Sequence, residues 1–376
     1  MPSHVRTVQL GTYPPTQCGI ATFTAALHGA LAEQAISTVV RVVDAPTTSP
    51  QPEVVGHLVR GSVTSARRVR ELLDAHDVVV VQHEYGIFGG PDGSDVVPLI
   101  EALRVPVVVV FHTVLEEPTA RQRGILLRLL EASQVAVTMT QTARERLVRC
   151  YGADPTRVVV VPHGAVDHRG VRAVARRDDR PLLLTWGLLG PGKGIEHAIE
   201  AVAGLRDLSP RYLVLGRTHP KVAEHDGEDY RNSLRRRIDE LGVGDLVELD
   251  DSYLGVQELA AVVASSDVVL LPYDSRDQVT SGVLTEAVAA GRPVVSTAFP
   301  HAVELLTGGP GLVVPQGDAT VLRTALRRVL TEPGLADELG RRARERAPDL
   351  MWRSVASRYL AVADRLLEAH ALAGTG

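Results

Sequence analysis

Residues 267–297 read "DVVLLPYDSRDQVTSGVLTEAVAAGRPVVST". An apolar β-branched run, "DVVLLP" (267–272), opens the stretch and another, "PVVST" (293–297), closes it. Between them a polar loop leads into a short apolar helix that begins near Thr280, Ser281 and Gly282. Apolar strands joined through helices imply a parallel sheet covered on both faces.

The same alternation runs from end to end. Strands are expected at 6–10, 37–43, 77–82, 106–111, 135–139 and 157–162, then at 181–186, 211–216, 245–250, 267–272, 293–297 and 311–315. Helix-length amphipathic segments separate most of them. The pattern predicts an α/β chain of two Rossmann-like, doubly wound domains, as the 376-residue length also favours. The charged stretch "DHRGVRAVARRDDR" (167–180) has no buried apolar face and is expected as the linker. The tail at 349–374 reads as a terminal amphipathic helix with Trp352 near its start.

Composition narrows the function. A net charge of -5 and 4% aromatic residues argue against a nucleic-acid binder. Cys18 and Cys150 form neither a disulfide framework nor a metal-ligand spacing, which points to a reducing cytoplasm. No stretch approaches the roughly 20 apolar residues of a spanning helix, and the first residues lack a signal-peptide pattern. Arginine-bearing helices at 65–75 and 121–132 allow peripheral contact with anionic lipid, although an ordinary solvated helix face is the commoner source of such a pattern.

Loops rich in Gly, His, Pro or charge follow the strands: 11–19, 83–90, 112–118 and 163–167 in the first half, and 187–194, 216–220 and 273–282 in the second. All fall at the carboxyl ends of strands, where open α/β sheets bind ligands. The helix starting near Thr280 has small residues around its first N–H groups, so an anion can approach them; a plain Thr/Ser N-cap explains the same residues. Glu286 lies four residues after Gly282, one turn further along the same face. A carboxylate beyond a diphosphate is suited to the two vicinal hydroxyls of a ribose, and the pair together spells a nucleoside diphosphate. Of 40 basic residues only Lys193 and Lys221 are lysines, and Lys193 lies between glycines in "GPGKG", where a compact ammonium reaches an anion.

These residues resemble the retaining, nucleotide-sugar-dependent glycosyltransferases of family 4. The resemblance is carried by "YPPTQCGIATFTAAL" (13–27), "FHTV" (111–114), "VVVVPHGAVD" (158–167), "GLLGPGKGIEHAIEAV" (187–202), "GVLTEAVAAGRPVVST" (282–297) and "GPGLVVPQGD" (309–318). It implies the GT-B fold of two facing Rossmann-like domains with the cleft between them. The N-terminal acceptor domain would span 1–170 and the C-terminal nucleotide-sugar donor domain 171–350, with a helix at 351–372 crossing back to the first.

The resemblance also implies roles. Lys193 would neutralise the donor diphosphate, beside backbone groups of Ser281, Gly282, Val283 and Leu284. Glu286, the second glutamate of the Glu-x7-Glu motif, would hold the ribose. Gly19 would lie against the donor phosphates and His112 would line the transfer centre. Gln278 stands where the motif has its first glutamate and would face the hexose. Leu188 replaces an arginine common in the family, and Cys18 replaces the first of two glycines.

The expected activity is metal-independent transfer, with retention, of a mannose-like hexose from a GDP- or UDP-linked donor to a hydroxyl acceptor. No cofactor beyond that donor is expected, and no Asp-x-Asp set stands at a strand end. Cys18, His83, Glu84 and His163 are the acceptor-side candidates. His83, Glu84 and His163 could instead serve a nucleotide-sugar epimerase of the same fold, while Gln278 and Leu188 suggest a catalytically silent sugar-nucleotide binder. Structural hydrogen bonding to loops is the plainer reading of His83 and His163. An NAD-linked oxidoreductase lacks the full G-x-G-x-x-G spacing.

Overall fold

The computed structural model describes residues 5–47, 51–176 and 178–373. The chain divides into two compact units: Met1–Gly164 together with Trp352–Gly376, and Ala165–Met351.

In the first unit the strands are β1 (Arg6–Gly11), β2 (Ile36–Val43), β3 (Val54–Val59), β4 (Val78–His83), β5 (Val107–Phe111), β6 (Val135–Thr138) and β7 (Val158–Val160). They alternate with α1 (Gly19–Ala32), α2 (Val63–Leu73), α3 (Val96–Glu101), α4 (Ala120–Ala132) and α5 (Gln141–Tyr151). All pairings are parallel, in the order β3-β2-β1-β4-β5-β6-β7. The order reverses between β1 and β4, so the loops after these two strands diverge to opposite faces and leave a crevice between them.

The second unit contains β8 (Leu182–Trp186), β9 (Arg211–Leu215), β10 (Val247–Asp250), β11 (Val268–Leu271), β12 (Val294–Thr297) and β13 (Gly311–Val314). Its helices are α6 (Ile195–Ala203), α7 (Pro220–Asp226), α8 (Asp229–Leu241), α9 (Val256–Ser265), α10 (Gly282–Ala289), α11 (Pro300–Leu306), α12 (Ala319–Thr331) and α13 (Leu335–Leu350). The sheet is again parallel, in the order β10-β9-β8-β11-β12-β13, with its reversal between β8 and β11.

Burial explains why the central strands read as continuous apolar runs. Every residue of β4, β5, β8 and β11 is buried, as a sheet covered on both faces requires. In the first unit Phe23, Leu27 and Leu31 of α1 share a core with Val355, Tyr359 and Leu360 of the last helix, α14 (Trp352–Ala373). Each such side chain contributes about 1.5–3 kcal/mol on burial. The start of α14 is fixed by Gly164, where a β-carbon would lie 2.2 Å from the Trp352 indole.

Two features depart from expectation. β3 is absent from the expected strands because it is an edge strand, half exposed and interrupted by Gly56 and His57, and so lacks an apolar run. The change of unit falls at Gly164, and the charged stretch 167–180 is docked on the second unit. Arg176 pairs with Asp267, Arg180 Nη1 donates to the Asp245 carbonyl at 2.9 Å, and Val174 N–H donates to the Ala261 carbonyl at 3.3 Å. Arg176 and Arg180 thus find partners on the fold, which composition could not reveal.

Candidate active site

In the second unit the residues singled out from sequence gather on the loops after β8 and β11. The loop after β8 carries Lys193, whose ammonium lies 4.1 Å from the centroid of the Tyr273 ring, directly after β11. A cation over an aromatic face is held there by the ring quadrupole. Asp274 N–H donates to the Gly192 carbonyl at 3.0 Å, tying the two loops backbone to backbone. A β-carbon on Gly187, at the start of the first loop, would come 3.4 Å from the Val283 side chain in the first turn of α10.

The N-terminus of α10 is partly committed. Ser281 is its N-cap: the hydroxyl accepts from Leu284 N–H at 3.2 Å, while its own N–H donates to His301 Nδ1 at 2.8 Å. Of the four backbone N–H groups expected at a phosphate, those of Ser281 and Leu284 have acceptors, and those of Gly282 and Val283 have none among the described residues. Gln278 precedes the helix and its amide donates to the Thr280 carbonyl.

Glu286 is half-buried and answers how a carboxylate is tolerated in this helix. Its oxygens accept from Val166 N–H at 3.2 and 3.3 Å, and His168 Nε2 lies 3.1 Å away. Carboxylate oxygens have further lone pairs for a ligand's hydroxyls. His168 escaped sequence reasoning because its only cue, a histidine immediately after a strand-end loop, is weak.

A further group near Lys193 was also missed. Glu196, His197 and Asp274 bring ligand-type atoms within 4.8 Å of one another. His197 Nε2 lies 3.4 Å from Asp274 Oδ2, and Glu196 accepts from the Tyr230 hydroxyl at 2.9 Å. Burial, reinforced by Glu196 and opposed by His197, holds the Asp274 carboxyl above the usual range. At the loop after β9, burial together with Lys221 and Lys193 lowers the His219 pKa.

In the first unit the site candidates surround the β1–β4 reversal. Cys18 is the N-cap of α1: its sulfur accepts from Ala21 N–H at 3.4 Å and lies 3.3 Å from the Thr12 hydroxyl. A β-carbon on Gly19 would meet nothing within 4 Å, so the glycine leaves open space beside the first turn. Glu84 accepts from Tyr85 N–H at 2.9 Å and from the Thr113 hydroxyl.

Two of the histidines lie around Phe23, which packs edge-on against His112 at 4.8 Å, His163 at 5.1 Å and Trp352 at 5.0 Å, while His83 packs against Tyr85 and Phe111. Burial, then the neighbouring His163 and His83, pushes the His112 pKa down to about 3. Burial alone takes His83 to about 4, and among the described residues its ring nitrogens have no hydrogen-bond partner. His163 is also lowered to about 4, its Nδ1–H donating to the Gly164 carbonyl at 2.6 Å. All three imidazoles are neutral at pH 7. His112 Nε2 meets Gln82 Oε1 at 2.8 Å, a partner no sequence signal had marked.

Comparison with known proteins identifies the family and the fold. Residues 170–346 match the family described as glycosyl transferases group 1, and residues 18–169 match glycosyltransferase family 4. The chain belongs to the family-4 glycosyltransferases. Among its relatives is the D-inositol 3-phosphate glycosyltransferase of Stackebrandtia nassauensis, 31% identical over 248 residues, covering 62% of this chain and 54% of that protein. The protein of the same name from Kineococcus radiotolerans is 30% identical over 277 residues, covering 67% and 61%. The matched stretch is thus less than two thirds of these relatives' own length. Among solved structures, Anabaena HepE in complex with UDP and glucose superposes with a TM-score of 0.75 at 14% identity, covering 96% of this chain and 99% of that one. This family-4 chain therefore has the two parallel-sheet α/β domains of the GT-B class.

Proposed function

We propose that this chain transfers a hexose from a nucleoside diphosphate sugar to a hydroxyl acceptor, with retention at the anomeric carbon and without a divalent metal. The observation that carries the reading is the placement of Lys193, the N–H groups of Gly282 and Val283, which have no acceptor among the described residues, and Glu286 at one sheet edge of the second unit. A diphosphate takes the ammonium and the helix N-terminus, where positive charge and unpaired donors coincide. One turn on, Glu286 accepts the ribose hydroxyls, steadied by Val166 and His168. Donor binding thus belongs to residues 171–350, and acceptor binding to residues 1–170 with the helix at 351–372.

In the transfer, the bond from the anomeric carbon to the leaving phosphate oxygen breaks while the acceptor oxygen bonds to the same face of that carbon. The acceptor proton passes to the leaving phosphate oxygen, so no covalent sugar–enzyme bond is needed. Neutral His112 and the amide of Gln278 are suited to hydroxyls of the hexose rather than to proton removal. A mannose-like hexose on GDP is the first donor to test. UDP-linked sugars come next, supported by the UDP bound to Anabaena HepE. The names of the curated relatives make a phosphorylated inositol the first acceptor to test. We place the reaction in the cytoplasm, with the exposed arginines Arg67 and Arg68 of α2 available to an anionic surface.

The test is incubation with each sugar nucleotide, with and without acceptor, followed by NMR of the products. An α-linked product from an α-linked donor, formed only with acceptor, is expected. Inversion would overturn the retaining reading, and isomerised donor without acceptor would favour the epimerase.

A further inference from the structure

Two glutamines are wholly buried at the β1–β4 reversal: Gln9 in β1 and Gln82 in β4, each 0% exposed. A primary amide in a dry core is tolerated only when its donors and acceptor are matched. Here the matching runs in one direction. Gln9 Nε2 donates to the Thr24 carbonyl of α1 at 3.4 Å, and Gln82 Nε2 donates to Gln9 Oε1 at 3.2 Å. Gln82 Oε1 then faces His112 Nε2 at 2.8 Å. The Thr24 carbonyl can only accept, so it fixes which way Gln9 points, Gln9 fixes Gln82, and Gln82 Oε1 can only accept from the imidazole.

We infer that Gln9 and Gln82 form a buried amide relay that holds His112 as its Nε2–H tautomer and presents Nδ1 as an acceptor to a substrate hydroxyl. The relay deepens the proposed function and rests on it only for the source of that hydroxyl, the hexose or the acceptor. The ring is fixed in place as well as in tautomer: His112 N–H donates to the His83 carbonyl at 3.1 Å, and Phe23 packs edge-on against it. Among the described residues nothing donates to Nδ1. Gly11 belongs to the device, since a β-carbon there would press on Gln82 Cβ at 3.0 Å and on Thr24 Oγ1 at 3.3 Å. With its pKa pushed far below neutrality, the imidazole keeps one proton, and the relay decides which nitrogen carries it.

Gln9 and Gln82 are positioning residues, so the test reads the tautomer itself. The full chain labelled with 15N-histidine is examined by long-range 1H–15N correlation at pH 7, with the His112 signals assigned by their loss in His112→Ala. A pyridine-like Nδ1 and a pyrrole-like Nε2 are expected; the opposite pattern overturns the relay. Gln9→Leu, which does not touch His112, should release Gln82 and give a mixture of both tautomers. Gln9→Glu, which still accepts from Gln82 Nε2, should restore the original pattern. A merely structural role predicts no such split, and an unchanged tautomer in Gln9→Leu contradicts the proposal. If Gln9→Leu does not fold, Gln82→Met makes the same cut next to His112, and the unmodified chain alone decides the first arm. The expected tautomer in a chain that binds no sugar nucleotide would support the relay and overturn the reading of the site.

Discussion

Gly194 lies so close to Pro272 that a β-carbon on the glycine would sit 1.9 Å from the Pro272 carbonyl oxygen. With its φ of 60°, Gly194 also adopts a backbone conformation that side chains disfavour. This contact lets the loop after β8 settle on the loop after β11, bringing Lys193 over Tyr273. Gly194→Ala should destabilise the chain by about 1–3 kcal/mol from backbone strain alone and weaken nucleoside diphosphate binding with it. Urea denaturation and calorimetric titration of the same variant measure both. Wild-type values in both would mean that the two loops are not fixed by this contact.

Glu286→Ala should weaken a ribonucleoside diphosphate by about 2–4 kcal/mol and erase its preference over the 2′-deoxy form, because a half-buried charged acceptor of two hydroxyls is lost. The carboxylate also holds Val166 and His168, so a control is needed. His168→Ala removes that support and leaves the carboxylate in place. It should weaken both nucleotides while keeping the 2′-hydroxyl preference. A preference that survives in Glu286→Ala assigns the ribose elsewhere.

Gln278→Ala should spare nucleoside diphosphate affinity but lower turnover or change the preferred sugar. Gln278→Glu, which restores the motif's carboxylate, should raise activity with common donors. Steady-state kinetics over a panel of sugar nucleotides decides this. Unchanged turnover and sugar preference in Gln278→Ala would reduce the residue to its hydrogen bond with the Thr280 carbonyl.

His83 gives the fold a pH dependence. Burial holds its pKa near 4, against about 6.5 in the unfolded chain. Between those values the unfolded state binds more protons, so stability falls as pH falls, by about 1.4 kcal/mol per pH unit. The effect is complete near pH 4 and absent above about pH 6.5. His83→Phe, set between Tyr85 and Phe111, should flatten that slope by one proton. Urea denaturation at pH 7 and pH 5 tests this; an identical slope in the variant would show that His83 is protonated in the fold.

The doubly wound architecture was legible because central parallel strands are buried on both faces and so appear as unbroken Val and Leu runs. β3 was illegible for the same reason in reverse, since an edge strand needs no such run. Lys193 and Glu286 could be marked by chemistry that is unusual in its local setting. Their neighbours could not: Tyr273 reads as the start of a polar loop, His168 as part of a charged linker, and Gln9 and Gln82 as single polar residues within expected strands. Those roles depend on contacts between residues up to 120 positions apart, as with Val166 and Glu286. Cys18, a departure at the sequence level, turns out to be a helix cap.

The central claim is that the second unit binds a nucleoside diphosphate through Lys193 and the ribose through Glu286. Calorimetric titration of GDP, UDP and the matching nucleosides into the wild-type chain and Lys193→Ala tests it most directly. The account predicts that Lys193→Ala weakens the diphosphate by about 1.5–3 kcal/mol, the worth of a hydrogen bond to a charged group, and leaves nucleoside binding nearly unchanged. Equal losses for diphosphate and nucleoside, or no binding of either diphosphate to the wild-type chain, would contradict it.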